Sequence, residues 1–317
     1  MPASDLLTIG IAQIAPVWLD RDATLDRVVD LIREAADAGC GLVAFGEAFV
    51  PGYPFWISET DGGRFESSVQ KDFHAHYVDQ AVEVAAGHLD GVCDAAREGN
   101  VAVYLGIIER DRAHGQSIFA SLVYIDRQGV IGSVHRKLRP TYEERLSWAP
   151  GDGHGLRTHR LDAFTVGGLN CWENWMPLAR AALYGQGEDL HVAVWPGSTR
   201  NTHDLTPILA KEGRSYVLSV APPLHMTDVP DGVPHRNLLL AAGVDVFAQG
   251  GSCLAAPDGS WVIAPTEGAP GLLTAQIDHA WVRRERQNFD PSGHYSRPDV
   301  TRLVVNRQRI GTVDLSE

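Results

Sequence analysis

The chain contains 317 residues, of which 44% are hydrophobic and 21% charged, proportions typical of a globular protein with a buried core. A formal net charge of −13 argues against nucleic acid and anionic membrane surfaces as partners, and no apolar run reaches the roughly 20 residues needed to span a membrane. The four cysteines are widely spaced and no signal peptide opens the sequence, which predicts a cytoplasmic protein with reduced thiols.

Short β-branched apolar runs alternate with segments of helical period, the pattern of a layered α/β fold. In the first half, strands are predicted over 7–14, 42–45, 101–109, 118–126 and 130–137, with helices over 25–36 and within 72–98. Short polar or glycine-containing turns separate the last three strands. We therefore expect these three strands to be adjacent and antiparallel.

The second half repeats this alternation. Strands are predicted over 164–171, 191–195, 216–220 and 272–277, a hairpin over 252–256 and 261–264, and helices over 176–184, 205–214 and 280–287. No low-complexity linker divides the halves. The sequence therefore predicts one domain over residues 1–290 with two similar halves, followed by a C-terminal tail over 291–317.

Three reactive side chains follow apolar strands at their carboxyl ends, where α/β sheets bind ligands: Glu47, Lys137 and Cys171. A thiol can act as a nucleophile, a carboxylate can take its proton, and an ammonium can stabilise developing negative charge. Position alone leaves structural alternatives open. Cys171 could be an inert core thiol, Lys137 part of a solvated basic patch, and Glu47 the partner of a buried arginine.

The other three cysteines, Cys40, Cys93 and Cys253, are interpreted as structural thiols. Cys171 differs from them because a polar and aromatic segment follows it. In that segment, Asn174 is the expected N-cap of a helix that has Pro177 in its first turn. The positive end of this helix would then favour the thiolate form of Cys171.

Three longer segments containing these residues, 45–54, 135–145 and 167–180, resemble the signature segments of the nitrilase branch of the carbon-nitrogen hydrolase superfamily, in the same order. The resemblance extends from about residue 6 to about residue 286. It implies a four-layer αββα sandwich and a catalytic triad of Glu47, Lys137 and Cys171. A second family glutamate falls on Glu144. The resemblance also implies a homodimer or higher homo-oligomer, with the C-terminal tail at the subunit interface.

The resemblance further implies hydrolysis of a small organic nitrile to the carboxylic acid and ammonia, through a covalent thioimidate and thioester on Cys171. No metal or organic cofactor is expected. The segment Cys171-Trp172-Glu173 is similar to the nitrilase version of the nucleophile motif, which favours a nitrile over an amide. An amidase or carbamoylase with the same triad is the alternative enzyme, and a binding protein without chemistry is the non-enzyme alternative.

Aromatic residues cluster in and after the segments at the strand ends and predict an apolar pocket. They are Tyr53, Phe55, Trp56, Trp172, Trp175 and Trp195. Their number mildly favours an aromatic or arylaliphatic nitrile over an aliphatic one. Among these residues and their neighbours, Tyr53, Trp172, Trp195 and Pro196 are the predicted substrate-binding residues.

Overall fold

A computed structural model describes residues 5–311 of the chain. The strands are β1 (Leu6–Gln13), β2 (Leu42–Ala44), β3 (Ala102–Arg110), β4 (Ile118–Ile125), β5 (Ile131–Arg136), β6 (His159–Leu161), β7 (Phe164–Asn170), β8 (Leu190–Val194), β9 (Tyr216–Val220), β10 (Pro223–His225), β11 (Val246–Ala255), β12 (Trp261–Glu267) and β13 (Gly271–Asp278). The helices are α1 (Arg21–Asp37), α2 (Trp56–Glu59), α3 (Ser68–Asp79), α4 (Asp90–Gly99), α5 (Pro177–Tyr184), α6 (Thr199–Thr202), α7 (Leu205–Gly213), α8 (Arg236–Ala242) and α9 (His279–Glu285).

The strands form two mixed sheets. The first has the order β13-β1-β2-β3-β4-β5, in which β1, β2 and β3 are parallel and β3, β4 and β5 are antiparallel neighbours, as their short turns predict. The second has the order β10-β11-β9-β8-β7-β6, with β12 paired to β11 and with β7, β8 and β9 parallel. Because β2 and β5 run in the same direction, their carboxyl ends lie at the same edge of the first sheet.

The two sheets pack face to face around an apolar core that both supply. Ile9 and Tyr104 of the first sheet and Val166 and Leu218 of the second belong to this central cluster. Helices α1 and α4 cover the outer face of the first sheet, and α5 and α7 cover the outer face of the second. The predicted four-layer αββα sandwich is therefore confirmed.

Helix α1 shows how the local sequence sets these layers. The Asp20 side chain caps its first turn by accepting a hydrogen bond from the backbone N–H of Ala23 at 3.0 Å. Gly39, just beyond the end, has φ +73°, a left-handed conformation that glycine adopts without strain. The spacing of Val28 and Ile32 places both against the first sheet, as their helical period predicts.

Several predicted boundaries change in the structure. The helical segment within 72–98 forms two helices, α3 and α4, separated by a short 3₁₀ turn. Strand β11 begins six residues before the predicted start at 252, because Gly250 and Gly251 interrupt the apolar pattern where the register shifts. The short elements β6, β10, α2, α6 and α8 were not predicted, since each has too few residues to show a period.

The part of the tail that the structure describes lies across its own chain. Arg309 pairs with Asp152 at 3.0 Å, and a ring nitrogen of His114 lies 2.9 Å from the carbonyl oxygen of Ile310. Residues 312–317 lie outside the described part, and the interface role of the tail stays a prediction. Among residues 5–311, no helix is long and apolar enough to cross a membrane.

Candidate active site

Glu47 follows β2 at a point where the two sheets approach each other closely. Its backbone N–H donates a hydrogen bond to the carbonyl oxygen of Trp195, beyond β8, at 3.2 Å. The preceding Gly46 permits this approach, because a Cβ atom there would lie 2.4 Å from Cδ of Pro222. The Glu47 side chain is therefore held between the sheets and is 1% exposed.

Lys137 follows β5, and its buried ammonium lies between two carboxylates. Nζ donates to Oε1 of Glu47 at 2.7 Å and to Oε2 of Glu144 at 2.6 Å. Burial opposes the charge on Lys137, but the attraction of Glu47, Cys171 and Glu144 outweighs it and raises the lysine pKa above its usual value. The ammonium therefore stays charged between these two carboxylates.

Glu144 comes from the 3₁₀ helix Tyr142–Leu146, which directly precedes the buried Trp148. Oε2 of Glu144 also accepts a hydrogen bond from the backbone N–H of Thr141 at 2.6 Å, and Oε1 accepts one from the Tyr53 hydroxyl at 2.7 Å. Its neighbour Glu143 is partly exposed, whereas Glu144 is buried. Three donors, Lys137, the Thr141 N–H and the Tyr53 hydroxyl, thus fix the Glu144 carboxylate.

Cys171 comes from the second sheet and faces these residues. Its side chain is buried, with 3% of the residue exposed. The Cys171 sulfur, one oxygen of Glu47 and one oxygen of Glu144 all lie within 4.8 Å of one another. Lys137 holds one oxygen of Glu47 at 2.7 Å, and a hydrogen-bonding interaction with the Cys171 thiol lowers the pKa of the Glu47 carboxyl against the larger effect of its burial.

The environment of Cys171 keeps its thiol protonated in the resting site. Burial raises the thiol pKa well above its usual range, and the charge of Glu47 raises it further. The Lys137 ammonium and the backbone N–H of Trp172 act in the opposite direction. Burial likewise raises the pKa of Glu47 against the attraction of Lys137, which suits this carboxyl to accept a proton during reaction.

The prediction that Asn174 caps the helix after Cys171 is wrong. Cys171 itself begins a 3₁₀ helix, Cys171–Trp175, with φ +47°, and α5 starts only at Pro177 with Met176 as its N-cap. Asn174 does not cap α5, because its side chain is hydrogen-bonded to the carbonyl oxygens of Leu169 and Cys171. The α5 N-terminus is therefore not positioned to favour the thiolate in the way the sequence suggested.

The predicted substrate-binding residues have different locations. Tyr53 and Pro196 line a small cavity beside Glu47. Trp195 is fully buried in the same apolar cluster as Cys171, and its indole N–H donates to the Ser219 hydroxyl at 3.2 Å. The Trp172 indole does not line the cavity and is half exposed, so only its backbone N–H faces the site.

The aromatic residues of the predicted pocket do not gather at one place, and the pocket stays a prediction. Of the six aromatic residues proposed for it, only Tyr53 and Phe55 line the cavity beside Glu47. Trp56 instead stacks on Phe73 in a neighbouring core cluster. The cavity volume is about 10 Å³, which is the space of roughly one water molecule.

Glu173, to which the sequence assigned no role, links the segments that carry Lys137 and Cys171. Its carboxylate accepts hydrogen bonds from the backbone N–H of Leu138 at 2.6 Å and of Asn170 at 2.8 Å. Burial opposes its charge, but His135, 3.1 Å away, and the two N–H donors hold the pKa of Glu173 below its usual value. The signal that could have identified Glu173 in the sequence is its charge, two positions after Cys171 and next to a predicted strand end.

The comparisons with known proteins agree with this geometry. The family model for carbon-nitrogen hydrolases matches residues 8–287. The chain belongs to this family. It is a hydrolase that acts on carbon–nitrogen bonds, and the match spans both sheets of the sandwich together with the segments that carry Glu47, Lys137 and Cys171.

Named relatives of this carbon-nitrogen hydrolase match over nearly the whole chain. A nitrilase from Pseudomonas syringae pv. syringae is 37% identical and the alignment covers 95% of this chain and 90% of the relative. An aliphatic nitrilase from Sinorhizobium fredii is 35% identical, with 94% and 95% covered. Among solved structures, an amidase from Nesterenkonia sp. has a TM-score of 0.64 at 17% identity, covering 91% of this chain and 96% of the amidase, a likeness that shows the fold.

Proposed function

We propose that this hydrolase is a nitrilase, which converts a small organic nitrile into the carboxylic acid and ammonia. The observation that carries the proposal is the buried Lys137 ammonium held between Glu47 and Glu144, beside the Cys171 thiol. This arrangement supplies a nucleophile, a proton acceptor and a fixed positive charge. Relatives named nitrilase and aliphatic nitrilase support a nitrile as the substrate.

The first step forms a covalent bond between the Cys171 sulfur and the nitrile carbon. Glu47 takes the thiol proton as the sulfur adds, so the poorly nucleophilic buried thiol is activated only during attack. Negative charge then develops on the nitrile nitrogen. The Lys137 ammonium and the backbone N–H of Trp172 stabilise this charge. Glu47 then passes the proton it took from the thiol to the nitrogen, which gives a thioimidate and leaves Glu47 again as a carboxylate.

Two waters complete the reaction. Glu47 deprotonates the first water as it adds to the thioimidate carbon and passes that proton to the nitrogen; the nitrogen takes the proton of the new hydroxyl as well and leaves as ammonia, which gives a thioester. Glu47 deprotonates the second water as it adds to the thioester carbon, the acid departs, and Glu47 returns the proton to the sulfur, which restores the thiol. Glu144 holds Lys137 throughout, since its carboxylate accepts from the ammonium at 2.6 Å. Should the first tetrahedral adduct expel sulfur instead of ammonia, an amide is released.

We propose an aliphatic nitrile rather than an aromatic one as the substrate. Relatives named aliphatic nitrilase support this choice, one of them 35% identical over 94% of this chain. This reverses the mild preference that the aromatic residues of the sequence suggested.

The test compares Cys171→Ala with Cys253→Ala, which removes a buried thiol that contacts Thr206. Ammonia release is measured from aliphatic, aryl and arylaceto nitriles and from the matching amides. We expect activity on nitriles in the wild type and in Cys253→Ala, and none in Cys171→Ala. Intact mass spectrometry of the wild type with substrate should show a covalent acyl adduct. Retained activity in Cys171→Ala would refute the assignment, and faster hydrolysis of amides would establish the amidase alternative.

We propose in addition that the protein is a cytoplasmic homo-oligomer. Apolar side chains of the segment around the start of α5 support a subunit interface there, since Trp172, Trp175 and Leu178 are each at least half exposed. Light scattering should show a dimer or larger species for the wild type. Leu178→Glu should shift the species to a lower mass, and an unchanged mass would exclude this surface.

A further inference from the structure

A chain of three buried polar side chains lies behind Cys171 and has no part in the proposed mechanism. Asn174 belongs to the 3₁₀ helix that Cys171 begins, His191 lies on β8, and Glu188 precedes that strand. Their exposed fractions are 0%, 2% and 0%. Burial of three polar groups is costly unless their hydrogen bonds are satisfied, so their arrangement indicates a specific role.

Hydrogen bonds connect Glu188 to the backbone of Cys171 through His191 and Asn174. Oε1 of Glu188 lies 2.8 Å from Nδ1 of His191, and Nε2 of His191 lies 2.7 Å from Oδ1 of Asn174. Nδ2 of Asn174 donates to the carbonyl oxygens of Cys171 at 2.9 Å and of Leu169 at 3.3 Å. Because both partners of Nδ2 are acceptors, Oδ1 must accept, and Nε2 of His191 must carry the hydrogen.

The end of this chain is the peptide unit that joins Cys171 to Trp172. The carbonyl held by Asn174 and the N–H of Trp172 belong to the same planar unit, so fixing one fixes the other. Cys171 has φ +47°, a left-handed conformation that is unfavourable for a non-glycine residue and needs support from its surroundings. A hydrogen bond to the carbonyl oxygen also polarises the peptide and strengthens its N–H as a donor.

We propose that His191 is a positioning residue that, together with Glu188, holds Asn174 so that the Trp172 N–H points at the reacting nitrogen. This inference rests on the proposed function, because the charge that the N–H stabilises is that of the nitrile adduct. His191 touches neither the substrate nor Cys171 and acts only through Asn174. A histidine that served packing alone would contribute to folding but would not act on the reaction.

Two uncharged variants of His191 separate these roles. In His191→Gln the side-chain amide reaches the position of Nε2 and can donate to Asn174. In His191→Asn the shorter amide reaches the position of Nδ1 and contacts Glu188 only. We expect His191→Asn to lower kcat for an aliphatic nitrile by about 10- to 100-fold with KM changed less than about threefold, whereas His191→Gln stays within about threefold of the wild type in kcat.

The second readout uses no substrate. The Trp172 N–H lowers the thiol pKa, so the pH profile of Cys171 alkylation by iodoacetamide, mapped by peptide mass spectrometry, should move to higher pH in His191→Asn and stay unchanged in His191→Gln. His203→Asn and His203→Gln are the matched controls, because His203 is exposed. If His191→Asn fails to fold, Asn174→Leu takes its place with the same expected losses.

The outcomes distinguish the inference from the proposed function. Equal losses of kcat in the two His191 variants, or an alkylation profile that does not move in His191→Asn, would overturn the inference while nitrile hydrolysis by the wild type stands. If the wild type hydrolyses no nitrile, the proposed function fails. A shifted alkylation profile in that case would still show that His191 controls the peptide beside Cys171.

Discussion

Replacing Lys137 by methionine should destabilise the protein strongly, and more so as the pH rises. The side chain is 1% exposed and makes two charged hydrogen bonds, at 2.7 Å to Glu47 and at 2.6 Å to Glu144. Removing one partner of a buried ion pair costs about 3–5 kcal/mol, because the remaining charges lose their compensation. At about 2 °C per kcal/mol for a chain of this size, the expected fall in Tm is roughly 6–10 °C at pH 8.

The pH dependence follows from Glu47. Without the ammonium, Glu47 keeps its burial and the repulsion of Glu144 but loses the attraction of Lys137, so its pKa in the folded variant lies further above its value in the unfolded chain. The folded variant then binds more protons than the unfolded chain, and its stability falls as the pH rises through that raised pKa. The deficit in Tm relative to the wild type should therefore be smaller at pH 5.5 than at pH 8.

Thermal unfolding followed by circular dichroism at pH 5.5 and pH 8 tests this reasoning. Lys71→Met is the matched control, because Lys71 is exposed and its surface pair with Glu66 is worth at most about 1 kcal/mol. Adding Glu144→Gln to Lys137→Met should restore part of the lost Tm at pH 8. A variant as stable as the wild type at pH 8, or a deficit equal at both pH values, would refute the electrostatic argument.

Three further substitutions probe separate contacts. Gly46→Ala places a Cβ 2.4 Å from Pro222 and should displace Glu47, lowering Tm by a shift equivalent to about 1–3 kcal/mol and kcat on a nitrile by at least about tenfold; an unchanged kcat would show that the close approach is not needed. Tyr53→Phe removes the 2.7 Å hydrogen bond to Glu144 and should lower kcat/KM about tenfold in an ammonia-release assay, whereas a loss below about twofold would contradict this role. Burial, with the charge of Arg157, lowers the pKa of His159 to about 4. Between about pH 4 and 6.5 the folded state therefore binds fewer protons than the unfolded chain, and the free energy of unfolding falls as the pH falls through that range. Urea unfolding at pH 7 and pH 5 should show that His159→Gln loses about 1–2 kcal/mol less than the wild type, and equal losses would exclude His159 as the cause.

The sandwich and the strand ends that precede Glu47, Lys137 and Cys171 could be predicted from the sequence, because both depend on local hydrophobic pattern. Runs of strand length mark β2, β5 and β7; Lys137 and Cys171 directly follow β5 and β7, and Glu47 lies three residues beyond the end of β2. Glu47, Lys137 and Cys171 are distant in the chain, yet parallel strands of one fold bring such positions together. Their roles in catalysis stay predictions until the variants are assayed.

Side-chain direction and local backbone conformation could not be predicted in the same way. Trp172 and Trp195 both lie near strand ends, but one indole is half exposed and the other is fully buried, a difference set by packing against the second sheet. The left-handed conformation of Cys171 depends on the Asn174 side chain, and Asn174 in turn depends on His191, 17 residues later. Such contacts between distant residues leave no period in the sequence.

The proposed nucleophile and its proposed proton acceptor follow strands of different sheets, Cys171 after β7 of the second sheet and Glu47 after β2 of the first. The distance between them is therefore a distance across the sandwich, set by the core side chains that keep the sheets about 10 Å apart. Conservative changes at core positions such as Val166 or Leu218 can thus alter turnover without unfolding the protein. We therefore expect changes in substrate range to come from substitutions in the loops around the cavity. Substitutions in the core between the sheets should affect both the turnover rate and the stability of the protein.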